Sequence, residues 1–171
     1  DRSGSMAGKP LVEAKRCAQF VVGALRPTDR CSVIAYGDEV SVLSQADSVG
    51  DRHLLQNIIA SISEGGSTNL HGGWLAGAQT LRVHVAPQVL SRVILLSDGC
   101  ANAGLTGADA IAEQCASQAT AGVTTSTYGL GTGFNELLMH RMAQAGQGNA
   151  YYGQTADDLM GPFTEELSLL D

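Results

Sequence analysis

Short apolar or β-branched runs alternate along this chain with segments of ten or more residues that carry helical periodicity, and that alternation constrains the fold more than any other feature. Arg92–Leu96 (RVILL) is the most hydrophobic strand signal, and Cys31–Tyr36 (CSVIAY) is nearly all apolar, as strands covered on both faces require. Residues 9–25 instead place Leu11, Ala14, Ala18, Val21, Val22 and Leu25 on one face of a helix, which Arg26-Pro27-Thr28-Asp29 brings to a stop. Further helices are predicted over 51–62, with Asp51 as a cap, and over 70–83, 107–121, 135–145 and 157–167. Val123–Tyr128 and Ala150–Tyr152 read as strands. Glu39–Leu43 alternates polar and apolar residues after the Gly37-Asp38 turn, which suits a half-exposed edge strand in an antiparallel hairpin.

Strands joined through helices pair in parallel. The chain is therefore expected to be a single α/β domain over residues 1–171, Rossmann-like and doubly wound. Its sheet should be mostly parallel, with one antiparallel edge strand and helices on both faces. One element breaks the pattern. Ligand groups of open α/β sheets gather outside the C-terminal ends of strands. Asp98 follows such a strand, but Asp1 leads almost directly into the first helix. The expectation is that a buried strand precedes Asp1 in the complete protein, so that the domain over residues 1–171 is N-terminally incomplete.

The net charge of −7 comes with no basic stripe, which argues against nucleic-acid binding. No stretch approaches the ~18 apolar residues of a membrane helix. Cys17, Cys31, Cys100 and Cys115 show no paired spacing suited to zinc and read as free thiols, which leans toward a reducing, cytoplasmic setting over a secreted or membrane-anchored one. His53, His71, His84 and His140 include no pair at ligand-like spacing.

Three short polar segments carry the chemistry: Asp1-Arg2-Ser3-Gly4-Ser5 before the first helix, Gly65-Gly66-Ser67-Thr68-Asn69 in a loop, and Ser97-Asp98-Gly99 after the strand at 92–96. Each alone also reads as an ordinary turn or helix cap. Together they offer carboxylates and hydroxyls, hard oxygen donors that suit Mg²⁺, Mn²⁺ or Ca²⁺ and not soft metals. Two carboxylates would balance a divalent charge, and any acting through water would leave the ion electrophilic. Gly65-Gly66 is no phosphate cradle, since no P-loop motif exists and no lysine is near. Trp74 reads as packing or, less simply, as a rim aromatic; His71 as a helix-start residue or a ligand contact; Arg2 and Met6 as residues that could flank the binding face.

With DRSGSM at 1–6, GGSTNL at 65–70 and LLSDG at 95–99 in this order, the chain resembles a von Willebrand factor type A domain of bacterial type. RPTDRCSVIAYGDEV at 26–40, GVTTSTYGLG at 122–131 and YYGQTADDL at 151–159 extend the resemblance over essentially the whole chain. It implies a metal-ion-dependent adhesion site formed by Asp1, Ser3, Ser5, Thr68 and Asp98. Ser3 and Ser5 would ligate Mg²⁺ (or Mn²⁺ or Ca²⁺) directly, Asp1 and Asp98 directly or through water, and Thr68 directly once a ligand is engaged. The implied function is a non-enzymatic module that grips a carboxylate of a partner protein through the ion. Service within an assembly built around an AAA-type ATPase, as in metal chelatases, and metal-assisted hydrolysis are the alternatives.

Overall fold

The computed structural model describes residues 1–50, 52–131 and 135–168. Five strands, β1 (Arg30–Tyr36), β2 (Val40–Ser48), β3 (Ser91–Ser97), β4 (Val123–Leu130) and β5 (Gln147–Gly153), alternate with six helices, α1 (Lys9–Ala24), α2 (Arg52–Ala60), α3 (Leu70–Arg82), α4 (Ala108–Thr120), α5 (Glu136–Ala145) and α6 (Ala156–Ser168). The expected cap at Asp51 lies outside the described residues. Pro10 occupies the first turn of α1, where a missing N–H costs nothing. Asn69 and Asn135 cap α3 and α5 through side-chain oxygens that accept from Gly72 N and Leu138 N.

The strands form two sheets. β3, β4 and β5 pair in parallel in that order, and β1 pairs with β2 as an antiparallel hairpin. The hairpin runs on to Ser48, beyond the alternating run at 39–43, because Arg30 and Cys31 still pair with Ser48 and Asp47. The single expected sheet is thus interrupted between β1 and β3, where a cavity of about 280 Å³ lies. Ile34 and Ala35 of β1, Val93 and Leu95 of β3, Leu11 of α1 and Trp74 of α3 are among its walls. At one end of this gap the main-chain nitrogens of Asp1 and Arg2 donate to Leu96 O of β3 and Tyr36 O of β1, each at 2.9 Å. Successive residues that bond alternately left and right follow the pattern of a strand between two others.

Helices cover both faces. On one, Leu70, Trp74, Ile111, Leu138, Met139 and Met142 from α3, α4 and α5 pack on Tyr36 and Leu95. On the other, Leu11 and Cys17 of α1 and Leu159 and Phe163 of α6 pack on Tyr128 and Leu130, with the Phe163 ring stacked on Tyr128 at 4.1 Å. Alternation along β4 sends its hydroxyls to both sides. Thr125 accepts from the Trp74 indole at 2.9 Å and Thr127 donates to Met139 O, while Ser126 on the opposite face donates to Glu166. Glu166 is fully buried on α6 and also accepts from Arg92 at 2.6 Å and from Asn149 at 3.2 Å, so a charge that burial would penalise is paired and hydrogen-bonded.

Candidate metal centre

Asp1 ends the gap between the sheets, and its carboxylate organises the loop after it. Oδ1 accepts from Ser3 N at 2.9 Å and from Ser3 Oγ at 2.7 Å. Oδ2 accepts from Ser97 Oγ at 2.6 Å. The Ser3 and Ser5 hydroxyl oxygens stand 3.1 Å apart. Neighbouring ligands on an octahedron with metal–oxygen bonds of about 2.0–2.1 Å are separated by about 2.9 Å, so the spacing already suits two adjacent positions around Mg²⁺. Ser3 is buried and Ser5 is exposed, which leaves one side of the cluster open.

The second segment docks on the first through main chain. Gly65 N donates to Arg2 O at 2.8 Å and Gly4 N to Gly66 O at 2.9 Å. Gly66 adopts φ +80°, a left-handed conformation that favours glycine, and a Cβ there would collide with the Asp38 carboxylate, which would have to move aside. The third segment follows β3. Asp98 Oδ1 accepts from Cys100 N at 3.0 Å, and its carbonyl accepts from Asn135 N at 3.0 Å at the start of α5. Gly99 turns the chain at φ +78°, where a Cβ would lie 2.9 Å from Asn135 N and O. Ser97, fully buried, also accepts from Gly99 N, so one hydroxyl joins this turn to Asp1.

Contacts between the second and third segments close the ring. Thr68 N donates to Asn102 Oδ1 at 2.7 Å, and Thr68 O accepts from Asn102 N and Ala103 N, both at 3.1 Å. Asp1, Ser3, Ser5, Thr68 and Asp98 are therefore carried by three segments hydrogen-bonded pairwise at the C-terminal ends of β1 and β3. Asn102 and Ser97 were absent from the expected site residues. Both are polar residues in a turn or at a strand end, and nothing in their spacing marks them apart from their neighbours.

Other candidates find different places. Met6 is buried in the core and does not flank the site. Trp74 is buried packing, and His71 bonds Gln114 at 2.5 Å beside the Trp74 ring. Arg2 reaches Ser63 O at 3.4 Å. Tyr36 is buried, and burial pushes its phenol pKa up. All four cysteines are free thiols. No helix among the described residues is long and apolar enough to cross a membrane.

The donor set contains two carboxylates and three hydroxyls. No group of three or more His, Cys, Asp or Glu residues among the described residues could hold a metal. A cation here would draw on the two carboxylates, on serine and threonine oxygens and on water, a mixture that fits a small hard ion and not a soft one.

Comparison with known proteins places this geometry in context. The family model described as von Willebrand factor type A domain matches residues 1–165. The uncharacterized protein YfbK of Escherichia coli K12 is 28% identical over 171 residues, covering 98% of this chain and 29% of its own length. The chain thus spans under a third of that relative. Among solved structures, a von Willebrand factor type A protein from Catenulispora acidiphila superposes with a TM-score of 0.78 at 22% identity, over 96% of this chain and 39% of that one. The proximal thread matrix protein 1 of the mussel byssus, solved with zinc occupying its MIDAS motif, superposes with a TM-score of 0.73 at 20% identity, over 99% of this chain and 43% of that one. At these identities the structural likeness establishes the fold.

Proposed function

The chain belongs to the von Willebrand factor type A family, and on that premise we propose that it is a cation-dependent protein-binding module. In this reading Asp1, Ser3, Ser5, Thr68 and Asp98 hold one divalent ion, Mg²⁺ by preference and Mn²⁺ as a working substitute. The single observation that carries the reading is the Asp1–Ser3–Ser5 cluster, whose oxygens lie 2.7 and 3.1 Å apart with one side open to solvent. Zinc in the MIDAS motif of the mussel protein supports a divalent ion at a site of this kind on this fold.

The ion supplies a positive charge with exchangeable positions. Five donors do not complete six-fold coordination, and Mg²⁺ keeps water in such places. With Asp1 or Asp98 acting through water, an ion held here would keep net positive charge, the chemistry that would attract a carboxylate of a partner protein. Asp1 orients Ser3 by accepting from its hydroxyl and its N–H, Ser97 orients Asp1, and the Asn135 and Cys100 amides hold Asp98. The activity read from this arrangement is recognition rather than turnover.

Thermal unfolding in EDTA and in millimolar Mg²⁺ tests it. An ion present at about a hundredfold over its Kd adds about 2.7 kcal/mol, which in a domain of this size raises Tm by about 5–10 °C. Asp98→Ala should remove the rise. Equal midpoints with and without Mg²⁺ would count against the reading.

A further inference from the structure

The main chain of Thr68 is gripped on both sides by a different loop. Its N–H donates to Asn102 Oδ1 at 2.7 Å, and its carbonyl accepts from Asn102 N and Ala103 N at 3.1 Å. Thr68 itself is 1% exposed, whereas Asn102 lies at the surface. One residue further on the grip continues. Gly104, at φ +65°, lies so close to the Asn69 side chain that a Cβ would come within 2.5 Å of Asn69 Oδ1, the oxygen that also caps α3 through Gly72 N. Because peptide units are planar, fixing the N–H and the C=O of one residue fixes both adjoining planes and hence the direction of its Cα–Cβ bond. The Thr68 side chain is aimed by the loop that follows Asp98.

We infer that Asn102 is a positioning residue of the cation site, acting through Thr68 and locking the Thr68 arm to the Asp98 arm. This rests on the cation reading above. Asn102 contributes no donor to the ion; it helps to set the direction of the Thr68 Cα–Cβ bond from which the hydroxyl would reach the ion. Removing its side chain frees the Thr68 amide from the Asp98 loop and leaves all five donors in the sequence.

Mn²⁺ titration by calorimetry on the wild type, Asn102→Ala, Thr68→Val and the double variant tests this, with urea unfolding in EDTA as the check that each is folded. Loss of a partner that orients a metal ligand costs about 10-fold or more in metal affinity. Asn102→Ala is expected to weaken Mn²⁺ binding by about that factor, and the double variant to bind no more weakly than Thr68→Val alone, because a residue that acts through Thr68 has nothing left to act on. Asn102→Ser, a shorter polar replacement, serves in the same cycle if Asn102→Ala does not fold. Multiplicative losses in the double variant, or wild-type affinity in Asn102→Ala, would overturn the inference while leaving the cation site intact. Absence of Mn²⁺ binding by the wild type would overturn the cation reading itself.

Discussion

The Ser97 hydroxyl donates a 2.6 Å hydrogen bond to Asp1 Oδ2 and accepts one from Gly99 N, so a buried serine at the end of β3 ties the first acidic residue of the site to the turn that carries the second. Hydrogen bonds to a charged acceptor are among the stronger ones in proteins. Ser97→Ala is expected to lower stability by about 1–3 kcal/mol in urea unfolding with EDTA present. It should also weaken Mn²⁺ binding by about 10-fold, since Asp1 loses the partner that orients it. Unchanged affinity would mean that Asp1 is held by its own loop alone.

Glu166 provides a contrast remote from the metal-ligand candidates. It is fully buried and paired with Arg92, whose side chain is 8% exposed. Removing one partner of such a pair leaves the other as an uncompensated buried charge, at a cost of about 3–5 kcal/mol. Glu166→Ala should therefore lower the urea midpoint sharply. Because no residue of the metal centre touches this pair, the variant should keep wild-type Mn²⁺ affinity under conditions where it remains folded.

Trp74 is the single tryptophan and donates its indole N–H to Thr125 Oγ1 at 2.9 Å inside the core. Thr125→Val keeps the volume and removes the acceptor. A buried donor left unsatisfied costs about 1–3 kcal/mol. The same tryptophan reports the loss, since its fluorescence follows unfolding of the core in which it lies.

Burial pushes the Cys17 and Cys115 thiols up to about 12 and the Cys31 thiol up to about 11, from an ordinary value of 9.0. The folded chain then keeps protons that the unfolded chain has released. Their contribution to stability is intact below about pH 9 and is lost as pH rises toward 11 and 12. The buried Tyr36 and Tyr128 phenols, also pushed up by burial, act in the same direction. Urea midpoints at pH 8 and pH 10.5 should show a marked fall, and Cys17→Ala should flatten it while lowering the value at pH 8.

Much of the fold is legible in the order of its segments, because burial on both faces leaves strands such as 91–97 with uninterrupted apolar runs, and helices such as 9–24 with a single apolar stripe. The donor residues of the site are legible for a similar reason, since oxygen-bearing side chains recur at the heads and tails of the predicted elements. The partners are not. Ser97, Asn102 and Glu166 owe their roles to residues 96, 34 and 40 positions away along the chain, where Asp1, Thr68 and Ser126 stand, and no local pattern encodes such a meeting. The hydroxyl-rich strand 123–130 shows the same limit. Its Thr125, Ser126 and Thr127 are fully buried, which is tolerable only because Trp74, Glu166 and Met139 supply bonds that the sequence of the strand does not announce.

Whether the oxygens of Asp1, Ser3, Ser5, Thr68 and Asp98 bind an ion together decides the function proposed for this chain. Titrating the chain with Mn²⁺ while following the paramagnetic resonance signal of the free ion measures this directly. One Mn²⁺ should disappear per chain, Mg²⁺ should return it to solution, and the stoichiometric loss should vanish in Asp98→Ala and in a Ser3→Ala/Ser5→Ala double variant that still unfolds cooperatively. A free-ion signal that follows the added Mn²⁺ from the first addition, in the wild-type chain at neutral pH, would contradict it.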